Sequence, residues 1–145
     1  MYLLPDHLGS VRLETYGDGP NAGDMRAATP TLPYGGARYA APVSDFWFTG
    51  QYFDRSEDLY DYGARPYDST LGLFIQADTV VPNPGDPQAL NRYSYAANNP
   101  TNYVDPSGHC VTNDQGVTRG DAYDCTVDEM SQLSWETRKW CWSCS

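Results

Sequence analysis

The stretch Asp58-Leu-Tyr-Asp-Tyr-Gly-Ala-Arg-Pro-Tyr-Asp-Ser-Thr-Leu-Gly-Leu-Phe-Ile-Gln-Ala-Asp78 alternates short apolar runs with strong turn residues. Tyr60 and Tyr62 fall on one side of an extended segment, and Leu73 and Ile75 do the same further on. That period of two belongs to strands, not helices. Gly63, Asp68 and Gly72 supply the bends between them. The stretch therefore predicts short antiparallel strands joined by tight turns.

The same pattern extends outward. In Ser10–Tyr16, Val11, Leu13 and Thr15 share one face, with Arg12, Glu14 and Tyr16 on the other. In Asp45–Asp54, Phe46 and Phe48 share a face opposite Trp47. Apolar residues on both faces imply that both faces are covered, so residues 1–108 should roll into a curved sheet or join a larger shell. The whole chain has 145 residues with 13 Gly, 11 Pro and 12 Tyr, which suits short strands and wet-ended aromatics better than long helices.

A net charge of −10 opposes phosphate backbones and disfavours nucleic-acid binding. No apolar run is long enough to span a membrane, and the N-terminal residues lack the pattern of a signal peptide. The composition changes after Ala97-Asn-Asn-Pro-Thr-Asn-Tyr-Val-Asp-Pro-Ser-Gly-His109. Before it lie most of the tyrosines and no cysteine; after it lie Cys110, Cys125, Cys141 and Cys144 and three of the four tryptophans. A boundary between residues 108 and 109 follows. In the second part Thr126 and Glu129 form a capping box, and Val127, Met130 and Leu133 form an apolar stripe. Arg138 and Lys139 suit the last turn of a helix over 127–139.

Four segments carry a resemblance: Pro5-Asp-His-Leu-Gly-Ser-Val-Arg12, Phe48-Thr-Gly-Gln-Tyr-Phe-Asp54, Leu59–Asp78, and Asn91-Arg-Tyr-Ser-Tyr through Asp105-Pro-Ser-Gly108. Together they resemble the C-terminal Rhs repeat-associated core of Rhs (YD-repeat) proteins, over nearly all of residues 1–108. The resemblance implies a mainly β wall closing a hollow shell around a variable C-terminal cargo, often a toxin. It implies an exported or cell-surface protein and, as partners, the remainder of the shell and an immunity protein for the tail. In several members the core acts as an intramolecular aspartyl protease that cuts just after Asp-Pro-x-Gly.

Mapped onto this chain, that chemistry falls to Asp78 and Asp105, with Arg65 in support. Two aspartates in a low-dielectric site can share a proton and act as acid and base. The sequence departs from the family pattern twice. Asp78 is followed by Thr79-Val80-Val81 in place of Pro-x-Gly, and Leu73 stands where the family has arginine. Without cleavage, Asp105 would cap the turn Pro106-Ser107-Gly108.

His7 and Ser10 lie in one turn and are better explained by turn geometry than by catalysis; His109 is read as a loop histidine. The cysteines offer one Cys-x-x-Cys pair where structural zinc sites usually have two. For an exported tail too small to bury much core, two disulfides fit better, and no metal or other cofactor is expected. The leading expectation is a structural core that closes a β-shell and presents or retains its tail, without enzymatic turnover. Its rivals are an aspartyl autoprotease that releases the tail as a small effector, and a secreted binding or adhesive module.

Overall fold

The computed structural model describes residues 1–39, 43–79, 85, 87, 88 and 90–113. The expected helix over 127–139, together with Cys125, Cys141 and Cys144, lies outside the described residues.

The described chain is mainly β, as the turn-and-alternation pattern predicts. The first sheet has order β1 (Tyr2–Pro5), β2 (Val11–Thr15), β3 (Met25–Ala28), all antiparallel. Its first turn is built by Asp6, whose Oδ1 accepts the N–H groups of Leu8 and Ser10, while Gly9 takes φ +85°. The second sheet is a four-stranded meander of β4 (Tyr52–Asp54), β5 (Leu59–Asp61), β6 (Pro66–Asp68) and β7 (Leu73–Phe74). A ribbon of β8 (Tyr103–Val104) and β9 (Thr112–Asn113) pairs antiparallel on either side of Gly108.

The meander is held by a ladder of rings. Phe53 lies opposite Tyr60, Tyr60 opposite Tyr67, and Tyr67 opposite Phe74. Residues directly opposite one another share a face, so all four point to the same side. Trp47, Phe48, Tyr62, Tyr95 and Ala96 complete the buried cluster. Ring centroids lie 4.7 Å apart for Phe53 and Tyr60 and 4.6 Å apart for Tyr67 and Tyr95, inside the usual range for favourable aromatic pairs.

A buried tyrosine must place its hydroxyl, and each one here does. Tyr60 donates to the Gly35 carbonyl at 3.0 Å and Tyr67 to the Tyr34 carbonyl at 2.9 Å. Thr49 Oγ1, the Tyr62 hydroxyl and the Tyr95 hydroxyl form a chain with steps of 2.9 and 3.2 Å.

Some face assignments differ from the alternation read in the sequence. Tyr60 and Tyr62 are buried together as expected. Leu73 and Ile75 instead point away from the core, and Phe74 between them is buried. Register with Tyr67 decides this, because the larger ring takes the inward position. Trp47 and Phe48 are both buried, though adjacent, because the chain leaves the extended conformation at Trp47, with φ −139° and ψ −92°, and turns through Phe48–Gly50. Glu14 was placed on the face opposite Val11, and alternation holds there; yet Glu14 is itself 0 % exposed. The loop before β4 covers it, and Glu14 Oε1 accepts the Ser44 N–H at 2.9 Å.

The two sheets are tied through this loop. Val11 N–H donates to the Trp47 carbonyl, and Trp47 Nε1 donates to the Thr29 carbonyl at 3.5 Å.

Candidate functional site

The residues that position the site are turn residues. Gly63, at φ +84°, turns the chain between β5 and β6 and delivers Arg65 beneath the aromatic cluster. Asp78 follows β7, and Asp105 follows β8. Gly108 takes φ +83°, and a Cβ there would lie 3.1 Å from the Arg65 nitrogen and 3.3 Å from the Tyr62 carbonyl oxygen. Glycine is thus required twice over, by conformation and by space.

Arg65 is the hub. It is 5 % exposed, and its guanidinium stacks over the Phe74 ring with Cζ 3.7 Å from the centroid. Nη2 lies 2.9 Å from Asp78 Oδ2 and 3.4 Å from Asp105 Oδ2, Nη1 donates to the Arg92 carbonyl at 2.9 Å, and Nε donates to the Gly108 carbonyl. Burial lowers the Arg65 pKa, while Asp78 and Asp105 oppose that shift.

Asp105 is 2 % exposed. Its Oδ1 accepts the N–H of Gly108 at 2.8 Å and of Cys110 at 3.0 Å. Its other oxygen faces Arg65. Burial pushes its carboxyl up to about 6; Arg65 and the two amide donors pull the other way, and neighbouring Asp78 adds to the rise. Asp78, also buried, shares its Oδ2 with Arg65 and bonds His109 Nδ1 through Oδ1 at 2.8 Å. The Arg92 guanidinium donates two bonds to the Asp78 carbonyl oxygen, and the Asp78 N–H returns one to the Arg92 carbonyl.

The structure therefore brings Asp78, Asp105 and Arg65 together. Both carboxylates converge on one guanidinium nitrogen that belongs to the same group as the donor to the Gly108 carbonyl. Pro106 and Gly108 form the capped turn, with the Pro106 carbonyl held by Gln51 Nε2 at 2.9 Å. His7 and Ser10 are not brought together. His7 Nε2 lies 3.4 Å from the Thr101 carbonyl oxygen, and Ser10 Oγ accepts the Thr49 N–H at 3.0 Å.

Sequence reasoning missed three members of this constellation: Arg92, Gln51 and the partnership of His109 with Asp78. Gln51 sits in the Phe-Thr-Gly-Gln segment already singled out, so its motif position was a usable signal. Arg92 likewise sits in the Asn91-Arg-Tyr-Ser-Tyr segment, but neither it nor His109 carries a local signal that points to Asp78.

Chemically, the site couples two buried acids to the carbonyl of one peptide bond, Gly108–His109. Cys110 is 5 % exposed and lies against Asp105 through its N–H. No group of histidine, cysteine and carboxylate side chains suited to holding a metal ion occurs among the described residues. No helix among them is long and apolar enough to cross a membrane.

The structure matches crystal structures of TcdB2–TccC3. For the form without its hypervariable C-terminal region, the TM-score is 0.62 at 28 % identity, over 74 % of this chain and 5 % of that one. The likeness is to a segment of a toxin. In sequence, the chain is 33 % identical to salivary gland surface protein 1 of Aedes aegypti over 147 aligned residues, covering 97 % of this chain and 4 % of that protein. It is 38 % identical over 64 residues to the tRNA nuclease WapA of Bacillus subtilis, covering 44 % of this chain and 3 % of that protein. The chain thus spans only a few per cent of the length of these relatives. No family model matches it. Together the likenesses relate the chain to Rhs-containing, toxin-related proteins.

Proposed function

We propose that this chain is the closing core segment of an exported Rhs (YD-repeat) protein, and that its junction cluster retains the start of a variable tail. One observation carries this reading. The backbone at residues 108–110 is gripped by buried side chains of the core: Asp105 takes the N–H groups of Gly108 and Cys110, and Arg65 takes the Gly108 carbonyl. A turn that merely connected two regions would not need three buried charges. The likeness to a toxin segment supports a role within a larger β-shell, whose remainder is the principal partner. An extracellular setting, an immunity partner for the tail, and disulfides among Cys110, Cys125, Cys141 and Cys144 belong to the same reading. Limited proteolysis of the full chain tests it. Residues 105–113 should resist cleavage in the wild type and become accessible in Arg65→Met. Equal susceptibility of the two would overturn the reading.

A second reading rests on the same cluster and a different feature of it. Arg65 Nε polarises the Gly108 carbonyl while two carboxyls stand beside it, the arrangement needed for intramolecular hydrolysis of Gly108–His109. In that reaction Asp78 takes a proton from an attacking water. Protonated Asp105 gives one to the departing His109 nitrogen, leaving a His109 amine and a Gly108 carboxyl group whose proton returns to Asp105. A denaturing gel of the longer parent protein, with and without Asp105→Ala, decides. A cut wild type and an uncut variant are expected from this reading; an uncut wild type removes it.

A further inference from the structure

The distances within the cluster are unequal, and the inequality has a consequence. Arg65 Nη2 lies 2.9 Å from Asp78 but 3.4 Å from Asp105. Asp78 is the nearer partner of the shared cation, so with both carboxylates ionised one guanidinium faces two negative charges in a buried site. The charged and titratable groups around it are Arg65, from the β5–β6 turn; Asp78, after β7; Arg92, bonded to the Asp78 carbonyl; and His109, on the other Asp78 oxygen. Tyr62 and Tyr95 also border the site, and burial raises both phenols far enough that they stay neutral. A proton on Asp105 leaves one cation, Arg65, facing one carboxylate, Asp78. Oδ1 remains a carbonyl oxygen that still accepts the Gly108 and Cys110 amides.

We infer that Asp105 is a proton-operated latch on the junction, closed by acid and loosened as the pH rises toward neutrality. This rests on the reading that the junction grips the start of the tail, and it adds the condition under which the grip changes. The sign follows from linkage. In the closed latch the Asp105 carboxyl titrates at about 6, above its ordinary value of 3.8. A raised pKa means that the closed state binds the proton more tightly than the open one. Its contribution is fully present below pH 3.8 and is lost as pH rises through about 6. A shift of about two units corresponds to a closing constant that falls on the order of 100-fold from acid to neutral pH.

Hydrogen exchange of the full chain reads this directly, through the Gly108 and Cys110 amides, corrected for intrinsic exchange. Protection in the wild type should fall about 100-fold between pH 4 and pH 8. Asp105→Asn keeps an oxygen for both amides and carries no charge, so its protection should be flat with pH and exceed that of the wild type at pH 8. Asp78→Asn frees Arg65 to serve Asp105, so the midpoint should move to lower pH. A flat wild-type profile, an Asp105→Asn chain less protected than wild type at pH 8, or an unmoved midpoint in Asp78→Asn each overturns the latch. Proteolysis reports separately on retention. A titrating latch with a junction open to protease at every pH removes the retention reading and leaves the latch. A protected junction with a flat exchange profile removes the latch alone.

Discussion

The two sheets invert the usual relation between strand length and burial. The first sheet has the longest strand, β2, yet its edges are open: Tyr2, Leu4 and Met25 are 63 %, 47 % and 65 % exposed. All three lie on one face, because Tyr2 and Met25 both oppose Thr15 and Leu4 opposes Leu13. Its other face buries a carboxylate, Glu14. The meander has strands of two or three residues, yet Tyr60 and Tyr67 are wholly buried. Ladder hydrogen bonds are too few in such strands to hold them. Ring packing and the hydroxyl bonds at its edge do so instead. Order in this molecule follows from side chains that meet across strands, and the charge cluster hangs from that ordered half.

Removing a ring from the ladder should therefore cost more than anything done to the first sheet. Tyr67 touches Phe48, Tyr60, Tyr62, Phe74 and Tyr95. Tyr67→Ala should destabilise the chain by about 4 kcal/mol in denaturant unfolding, from lost burial and the cavity left behind. A loss under about 1 kcal/mol would mean the cluster can collapse onto the gap, and the contrast between the sheets would fail.

Arg65→Met comes next, at about 3 kcal/mol near neutral pH, because it leaves two buried carboxylates without their shared cation. The penalty should shrink at pH 5, where Asp105, its carboxyl pushed up to about 6, is mostly protonated. A penalty independent of pH would show that packing against Phe74, rather than charge, is what Arg65 contributes. Gly108→Ala should cost about 2 kcal/mol, the left-handed backbone being unfavourable for a residue with a Cβ and the space beside Arg65 already filled. Hydrogen exchange at Cys110 should report that loss locally, before global unfolding does.

Much of this half was legible in the sequence, for identifiable reasons. Turn chemistry is local, so Gly63, Gly72 and Asp68 could be placed without the fold. Asp68 Oδ1 does accept the N–H groups of Thr70 and Leu71. The pairing of Tyr60 with Tyr62 follows from period two alone. The inward turn of Phe74 does not, because it depends on register with Tyr67, a relation between strands. Asp78, Asp105 and Arg65 were found through motif position, which carries long-range information that periodicity lacks. His109 and Arg92 sit in no motif that names their partner. Their bonds to Asp78 arise only once β7 and the junction are folded against each other.

The smallest expected effect is the most informative about the first sheet. Leu4→Ser changes an exposed side chain on the open face, so unfolding of this chain should shift by no more than about 0.5 kcal/mol. Tyr2→Ser combined with it should add little, since Thr15 opposite Tyr2 and Leu13 opposite Leu4 keep β1 and β2 paired through the backbone. A loss of several-fold that size would show that the face is covered within the chain, and that the sheets differ in what covers them rather than in whether they are covered. If the shift stays small, the open face is available to strands of a larger shell. The same double substitution in a longer parent protein should then cost more than it does here.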